Sequence, residues 1–192
     1  MKRFIKYILI LPVVIALTSC NYNSLVDKQQ SVEQSWAEVE NQYQRRADLI
    51  PNLVNTVKGY STHESETFEK VTLARAKATS VTIDANDLTE ENLAKFQAAQ
   101  NELSQALKSL LAVSEAYPDL KANENFMNLQ TQLEGTENRI TTARMRYTES
   151  VKDYNTAIKK FPTMIYAGWF GFEAKPQFKA EEGAQRAPEV QF

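Results

Sequence analysis

A seven-residue repeat of large apolar side chains dominates the second half of this sequence. Its members occupy every seventh position without exception: Phe126, Leu133, Ile140, Tyr147, Tyr154 and Phe161. Such a repeat places an apolar row along one side of a helix and is typical of left-handed helix packing. It predicts a helix over residues 123–160, roughly 57 Å long at 1.5 Å per residue.

Apolar residues at helical spacing predict three further helices, over 24–47, 51–79 and 89–116. Glycine and proline number only 5 and 6 among 192 residues, which is below their ordinary use, so few positions can end a helix. The sequence therefore predicts an all-α fold, an up-and-down bundle of four long helices over residues 25–161. A sandwich or barrel, which needs frequent turns, is disfavoured.

Pro51 decides where the first of these helices ends. A proline disfavours the helical conformation at the preceding residue, here Ile50, and is tolerated in the first turn of a new helix. We therefore predict a break between residues 47 and 51. One kinked helix that continues through Pro51 is the alternative.

The first nineteen residues have the order of a secretory signal, a basic start followed by an uncharged apolar run over 7–17. The run is shorter than the about 20 residues that a membrane-spanning helix needs. Leu17, Thr18 and Ser19 then precede Cys20, the only cysteine, and these four residues resemble the lipobox of bacterial lipoproteins.

The lipobox resemblance implies that residues 1–19 are removed and that Cys20 is acylated. Residues 20–24 would then form a lipidated tether, and acyl chains would hold the protein on a membrane of the bacterial cell envelope, with its body outside the cytoplasm. A signal anchor that is never cut, or an ordinary cleaved signal with Cys20 uninvolved, is the alternative.

Counts and charge exclude several kinds of site. One cysteine and one histidine, His63, cannot supply a four-ligand Cys/His zinc site or a di-iron bundle with two Glu-x-x-His motifs. No Gly-x-Ser-x-Gly turn supports a serine hydrolase. A formal charge of −2 without a basic patch predicts no nucleic-acid partner.

Several phrases together are similar to the signature of the LemA family. They are Trp36, RRADLIPNLV over 45–54, YPDLKA over 117–122, and the Phe161-Pro162 pair; the similarity covers about residues 22–172. The resemblance implies a membrane-associated bacterial protein with an up-and-down four-helix bundle and no accepted catalytic residues. Many LemA relatives look as if they keep a transmembrane helix where this chain has a lipobox.

Six charged residues lie on or beside the apolar rows: Arg46, Glu64, Arg75, Glu134, Glu137 and Arg144. We predict that they form a partly buried ionic network that fixes the register of the helices. Solvated helix flanks are the alternative.

The tail over 162–192 begins with an aromatic segment and continues as a polar stretch over 175–192, which we predict to be disordered. Four aromatic residues are candidate contacts with a partner or a membrane: Tyr166, Trp169, Phe170 and Phe172. They can pack back onto the helices, dock a partner, or enter the headgroup zone of a bilayer, where tryptophan and tyrosine are stable.

These features predict a non-enzymatic scaffold or adaptor for envelope proteins, with no cofactor and no metal. A membrane-surface module that senses or remodels lipid through the aromatic tail is the alternative, and a hydrolase with an unfamiliar site is the least favoured. Association with further copies of the chain stays open.

Overall fold

A single helix, α1, runs from Lys2 to Lys58. In the computed structural model, which describes residues 2–61 and 63–179 and the side chains from residue 22 onward except residue 86, α1 continues through Pro51. The break predicted between residues 47 and 51 is therefore wrong. Residues 20–24 belong to the same helix, since no glycine or proline lies between Pro12 and Pro51.

The remaining helices of the described residues follow in chain order. They are α2 (Ser65–Ser80), α3 (Glu90–Val113), the short α4 (Pro118–Lys121), α5 (Glu124–Lys159) and the short α6 (Thr163–Tyr166). No strand occurs within residues 2–61 and 63–179, so the all-α prediction is confirmed. The structure does not describe residues 1 and 180–192 or the side chain of Cys20. The predictions of a signal, of lipidation and of part of the tail refer to these residues.

Arg75 supplies the hydrogen bond that Pro51 cannot. In an α-helix the N–H of residue 51 would donate to the carbonyl of residue 47, but proline has no N–H. Instead, Arg75 Nε, on α2, donates to the buried Ala47 carbonyl oxygen over 2.8 Å. Since a side chain from another helix satisfies this carbonyl, α1 can continue.

Helix α1 ends at the turn that contains Gly59, which the sequence placed inside a helix. The Gly59 N–H donates to the Asn55 and Thr56 carbonyls over 3.3 and 3.2 Å, and the Ser61 N–H donates to the Val57 carbonyl over 3.1 Å. Residues 59–64 therefore separate α1 from α2, eight residues after the position predicted from Pro51.

Helix α3 begins close to its predicted position. The side chain of Thr89, the N-cap residue, accepts a hydrogen bond from the Asn92 N–H over 3.2 Å. Glu90 and Glu91 follow in the first turn, where the positive end of the helix dipole favours negative charge.

The chain forms two compact units. Of the described residues, unit 1 contains those between 1 and 43 and between 138 and 175, and unit 2 contains those between 44 and 137 and between 176 and 192. Four helices contribute to the apolar core of unit 2: its buried residues include Ile50, Leu53 and Val57 of α1, Phe68 and Val71 of α2, Leu103, Leu107 and Leu110 of α3, and Phe126 and Leu133 of α5.

The core of unit 1 is rich in large aromatic side chains. Trp36 of α1 and Tyr147 of α5 meet edge to face, with ring centroids 5.4 Å apart. Burial raises the pKa of the Tyr147 phenol. Three buried members of the seven-residue repeat belong to this unit: Ile140, Tyr147 and Tyr154.

Phe161 departs from the repeat to which the sequence assigns it. The other five members are buried, but Phe161 is 78% exposed. Phe161 follows the last residue of α5, Lys159, and the buried row ends with the helix.

None of the helices whose side chains are described carries an apolar stretch long enough to cross a bilayer.

Replacing Arg75 with Met should lower the free energy of unfolding by about 1–3 kcal/mol, because the Ala47 carbonyl loses its donor in a buried environment. Pro51→Ala restores a backbone N–H to the helix, so Arg75→Met should cost less in that background. Denaturant unfolding of the four proteins measures this coupling. Lys70→Met, which breaks only an exposed pair with Glu66, is the control and should cost less than about 0.5 kcal/mol; an equal cost of Arg75→Met in both backgrounds would contradict the role of Arg75.

Candidate functional site

The guanidinium of Arg46 is buried in unit 2, with 2% of the residue exposed. Its Nη1 donates to the Glu137 carboxylate over 2.8 Å and to Ser104 Oγ over 2.9 Å. Its Nη2 donates to Gln100 Oε1 over 2.7 Å and to the Gln100 carbonyl over 3.2 Å. One side chain of α1 therefore binds both α3 and α5.

Gln100 connects this group of residues to α2. Its Nε2 donates to the Ala78 carbonyl over 3.3 Å, and its own carbonyl accepts from Ser104 Oγ over 3.0 Å. Sequence reasoning did not identify Gln100 or Ser104 as site residues. A signal was present, because Gln100 interrupts the apolar row of α3 between Phe96 and Leu103.

We call this group the polar junction, and its side chains are Arg46, Arg75, Gln100, Ser104 and Glu137. Through it, hydrogen bonds between side chains and to backbone carbonyls connect α1, α2, α3 and α5 within unit 2. Nη1 and Nη2 of Arg46 each have two acceptors within the protein. The polar junction is therefore suited to holding helices in register.

The other predicted network residues lie elsewhere. Glu134 is exposed and accepts a hydrogen bond from Gln130 Nε2 over 3.0 Å. Glu64 is half-buried at the N-cap of α2 without a side-chain capping bond. Arg144 is half-buried in the part of α5 that belongs to unit 1. The structure thus brings Arg46 and Glu137 together and links Arg75 through the Ala47 carbonyl.

A groove of about 520 Å³ opens in unit 2 beside the turn between α1 and α2. The Lys58 ammonium lies 5.4 Å from the centre of the Phe68 ring, which lines the same groove. Ser61 Oγ is buried there and has no hydrogen-bond partner among the described residues. No described base lies within hydrogen-bond distance of this hydroxyl, whereas an activated serine nucleophile has one.

His63 is exposed in the same turn. Among the residues that the structure describes, no three His, Cys, Asp or Glu side chains converge where they could hold a metal ion.

The four aromatic candidates divide into two pairs. Tyr166 and Phe172 are buried in unit 1, whereas Trp169 and Phe170 are 82% and 61% exposed. The sequence left two alternatives, that these residues pack back onto the helices or that they face outward. Both occur in this one short segment.

Gly171 produces this division. Its φ of +77° is left-handed, a conformation that glycine adopts without the penalty paid by other residues. The Gly171 N–H donates to the Gly168 carbonyl over 3.2 Å, and the Phe172 N–H donates to the Ala167 carbonyl over 3.0 Å. This pair of bonds is a Schellman motif, and it turns Phe172 inward directly after Phe170 points outward.

Contacts on both sides hold the aromatic segment in unit 1. The Tyr22 ring of α1 meets the Phe170 and Phe172 rings edge to face, with centroids 5.3 and 5.6 Å apart. The Asn155 side chain of α5 donates to the Lys175 carbonyl over 2.8 Å and accepts from the Lys175 N–H over 2.9 Å. At least the start of the stretch over 175–192, predicted to be disordered, is thus hydrogen-bonded to α5.

The helical fold and the polar junction define an all-α protein in which buried polar groups join helices. A sequence model of the LemA family matches residues 35–192, which is most of the chain. The chain belongs to the LemA family.

Proteins named LemA and MamQ are similar to this chain. Protein LemA of Metamycoplasma hominis is 22% identical over 77% of this chain and 60% of its own length. Magnetosome protein MamQ 2 of Paramagnetospirillum magneticum is 26% identical over 86% of this chain and 67% of its own. Magnetosome protein MamQ of Magnetospirillum gryphiswaldense is 24% identical over 82% and 64%. The match thus spans about 60% of the LemA relative, and none of these names designates an enzymatic activity.

Arg46→Met should lower the free energy of unfolding by about 2 kcal/mol or more, because Gln100 Oε1 loses its donor in a buried site. Glu137→Gln should cost less than about 1 kcal/mol, since the Glu137 side chain is 50% exposed and solvent screens its charge. Denaturant unfolding checks both values. Glu134→Gln, one turn earlier on α5, is the control and should leave stability unchanged; equal losses for Arg46→Met and Glu137→Gln would contradict a role of Gln100 in the polar junction.

Proposed function

We propose that this chain is a lipid-anchored protein of the bacterial cell envelope, in which an up-and-down four-helix bundle serves as a scaffold or adaptor for envelope proteins. The observation that carries the proposal is the polar junction. Nη1 and Nη2 of Arg46, Nε of Arg75 and the Gln100 side chain bind groups on neighbouring helices, so the exposed helix faces remain for partners.

The bundle is supported by the core of unit 2. Side chains from α1, α2, α3 and α5 contribute to one apolar core, and the connections of residues 59–64, 81–89 and 114–123 are short. Long helices with short connections place consecutive helices antiparallel in such a bundle.

A non-enzymatic role agrees with the chemistry of the described residues. The Arg46 head is held by Glu137, Gln100 and Ser104, and Ser61 has no base beside it. A scaffold needs rigid helices and accessible faces, and it needs no activated side chain.

The anchor is supported by the lipobox-like sequence Leu17-Thr18-Ser19-Cys20. Small residues before a cysteine suit both cleavage and transfer of a diacylglycerol group to the thiol, since the thiolate is a strong nucleophile. Acylation there attaches the chain to the membrane at α1, with the rest of the body outside the cytoplasm.

Cells that express the full chain and are fed radiolabelled palmitate should incorporate label into the wild-type protein. Cys20→Ala removes the only thiol of the chain and should abolish the labelling. Thr18→Ala keeps a small residue in the lipobox and is the matched control, which should stay labelled. Label in the Cys20→Ala protein, or none in the wild type, would contradict the lipid anchor.

The scaffold role is tested by photo-crosslinking in intact cells, with a crosslinker placed at exposed helix positions such as Leu73 and Met145. We expect reproducible adducts with envelope proteins in the wild type, and their loss in Cys20→Ala, because an unanchored chain leaves the membrane surface. A matched probe at buried Val71 should give no adducts. Adducts only with further copies of this chain would favour an oligomer without an adaptor role.

A second candidate function is a membrane-surface module that senses or remodels lipid. The exposure of Trp169 and Phe170 on a segment held by Tyr166 and Phe172 supports it.

A further inference from the structure

Unit 1 carries a group of exposed large apolar side chains just after α5. We call this group the aromatic surface, and its members are Phe161, Met164, Ile165, Trp169 and Phe170. Five such residues within a ten-residue stretch are unlike the single exposed apolar side chains that are normal on protein surfaces. A concentration of this kind indicates a surface that is covered in the functional state.

The aromatic surface is held in place by its neighbours in the chain. Thr163, Tyr166, Ala167 and Phe172 alternate with the exposed residues and are buried. The hydrogen bonds around Gly171 and the two bonds between Asn155 and Lys175 fix the following residues. The outward side chains are thus presented by an ordered support.

The aromatic surface lies next to Tyr22, close in sequence to Cys20, where the predicted acyl chain would be attached. Phe170 contacts Tyr22 through an edge-to-face ring pair. Tyr22 follows Cys20 by two positions on the same helix, about 3 Å along its axis. The uncharged apolar run over 7–17 precedes them on α1. An acyl chain on Cys20 and a retained apolar segment would both bring lipid to this side of unit 1.

The chemistry of the surrounding residues suits the boundary between lipid headgroups and acyl chains. Tryptophan is enriched at that boundary, because its ring is apolar and its N–H stays hydrogen-bonded. Exposed Lys159 and Lys160 precede Phe161, and residues 159–175 carry three lysines and one acid, Glu173, a net charge of 3 − 1 = +2. Basic residues beside inserted apolar groups attract anionic phospholipids.

We infer that the aromatic surface binds the headgroup region of the bilayer to which the chain is anchored, with Trp169 and Phe170 inserted and the two lysines facing anionic phosphates. The inference rests on the proposed anchor and adds a second membrane contact to it. Two separate contacts restrain the rotation of unit 1, which a single lipid chain at residue 20 would leave free.

The two tryptophans of the chain allow a direct test. Trp169 is exposed, and Trp36 is buried in the core about 24 Å along α1 from residue 20. The full chain is reconstituted into vesicles of phosphatidylcholine and phosphatidylglycerol, with bromine atoms on the upper part of the phosphatidylcholine acyl chains. Tryptophan emission is measured on the protein that floats with the vesicles.

The wild type should lose emission in brominated vesicles relative to unbrominated ones, and its emission should shift to shorter wavelength. Trp169→Phe should lose most of that quenching, since only buried Trp36 remains. The substitution is at an exposed position, so the fold is preserved and circular dichroism checks it. Trp36→Phe, with Trp169 as the remaining reporter, should keep the quenching.

Each of the following results would overturn the inference. Equal quenching of the wild type and Trp169→Phe would do so, as would free access of aqueous iodide to Trp169 in the vesicle-bound chain. Shielding of Trp169 from both bromine and iodide would assign the aromatic surface to a second copy of the chain. A chain that does not float with vesicles overturns the anchor and the inference together, whereas one that floats without quenching at Trp169 overturns the inference alone.

Discussion

The hydrogen bond from Arg75 to the Ala47 carbonyl allows α1 to remain one helix. Without it, Pro51 would leave a buried carbonyl without a donor, and the residue before proline already resists the helical conformation. Because the bond is present, Ile50, Leu53 and Val57 continue the apolar row of the same helix that carries Trp36. A single α1 therefore supplies core residues to both units.

The polar junction gives this arrangement a defined register. Apolar rows can pack in several neighbouring registers with similar burial, because apolar contacts have little directionality. The bonds of Arg46 to Gln100, Ser104 and Glu137 form at one register only. The Glu137 side chain is 50% exposed, so solvent as well as Arg46 stabilises its charge, whereas Gln100 is buried and its Oε1 accepts from Arg46.

In unit 1 an ordered segment holds apolar side chains at the surface. The left-handed Gly171 separates exposed Phe170 from buried Phe172 over two residues, and Tyr22 contacts both rings. In the function that we propose, the lipid anchor and the second membrane contact together restrict the orientation of the scaffold. Such a restriction would keep the same helix faces toward its envelope partners.

The sequence by itself determined the all-α class, the start of α3 and the extent of α5, since helical periodicity depends on near neighbours in the chain. It also identified Arg46 and Glu137, which lie beside apolar rows. The continuity of α1 was decided by tertiary structure, because the donor for the Ala47 carbonyl lies 28 positions away. Tertiary structure also decided that Gln100 binds Arg46 and that Phe161 and Trp169 are exposed. Both outcomes depend on which helix lies opposite a residue and where that helix ends.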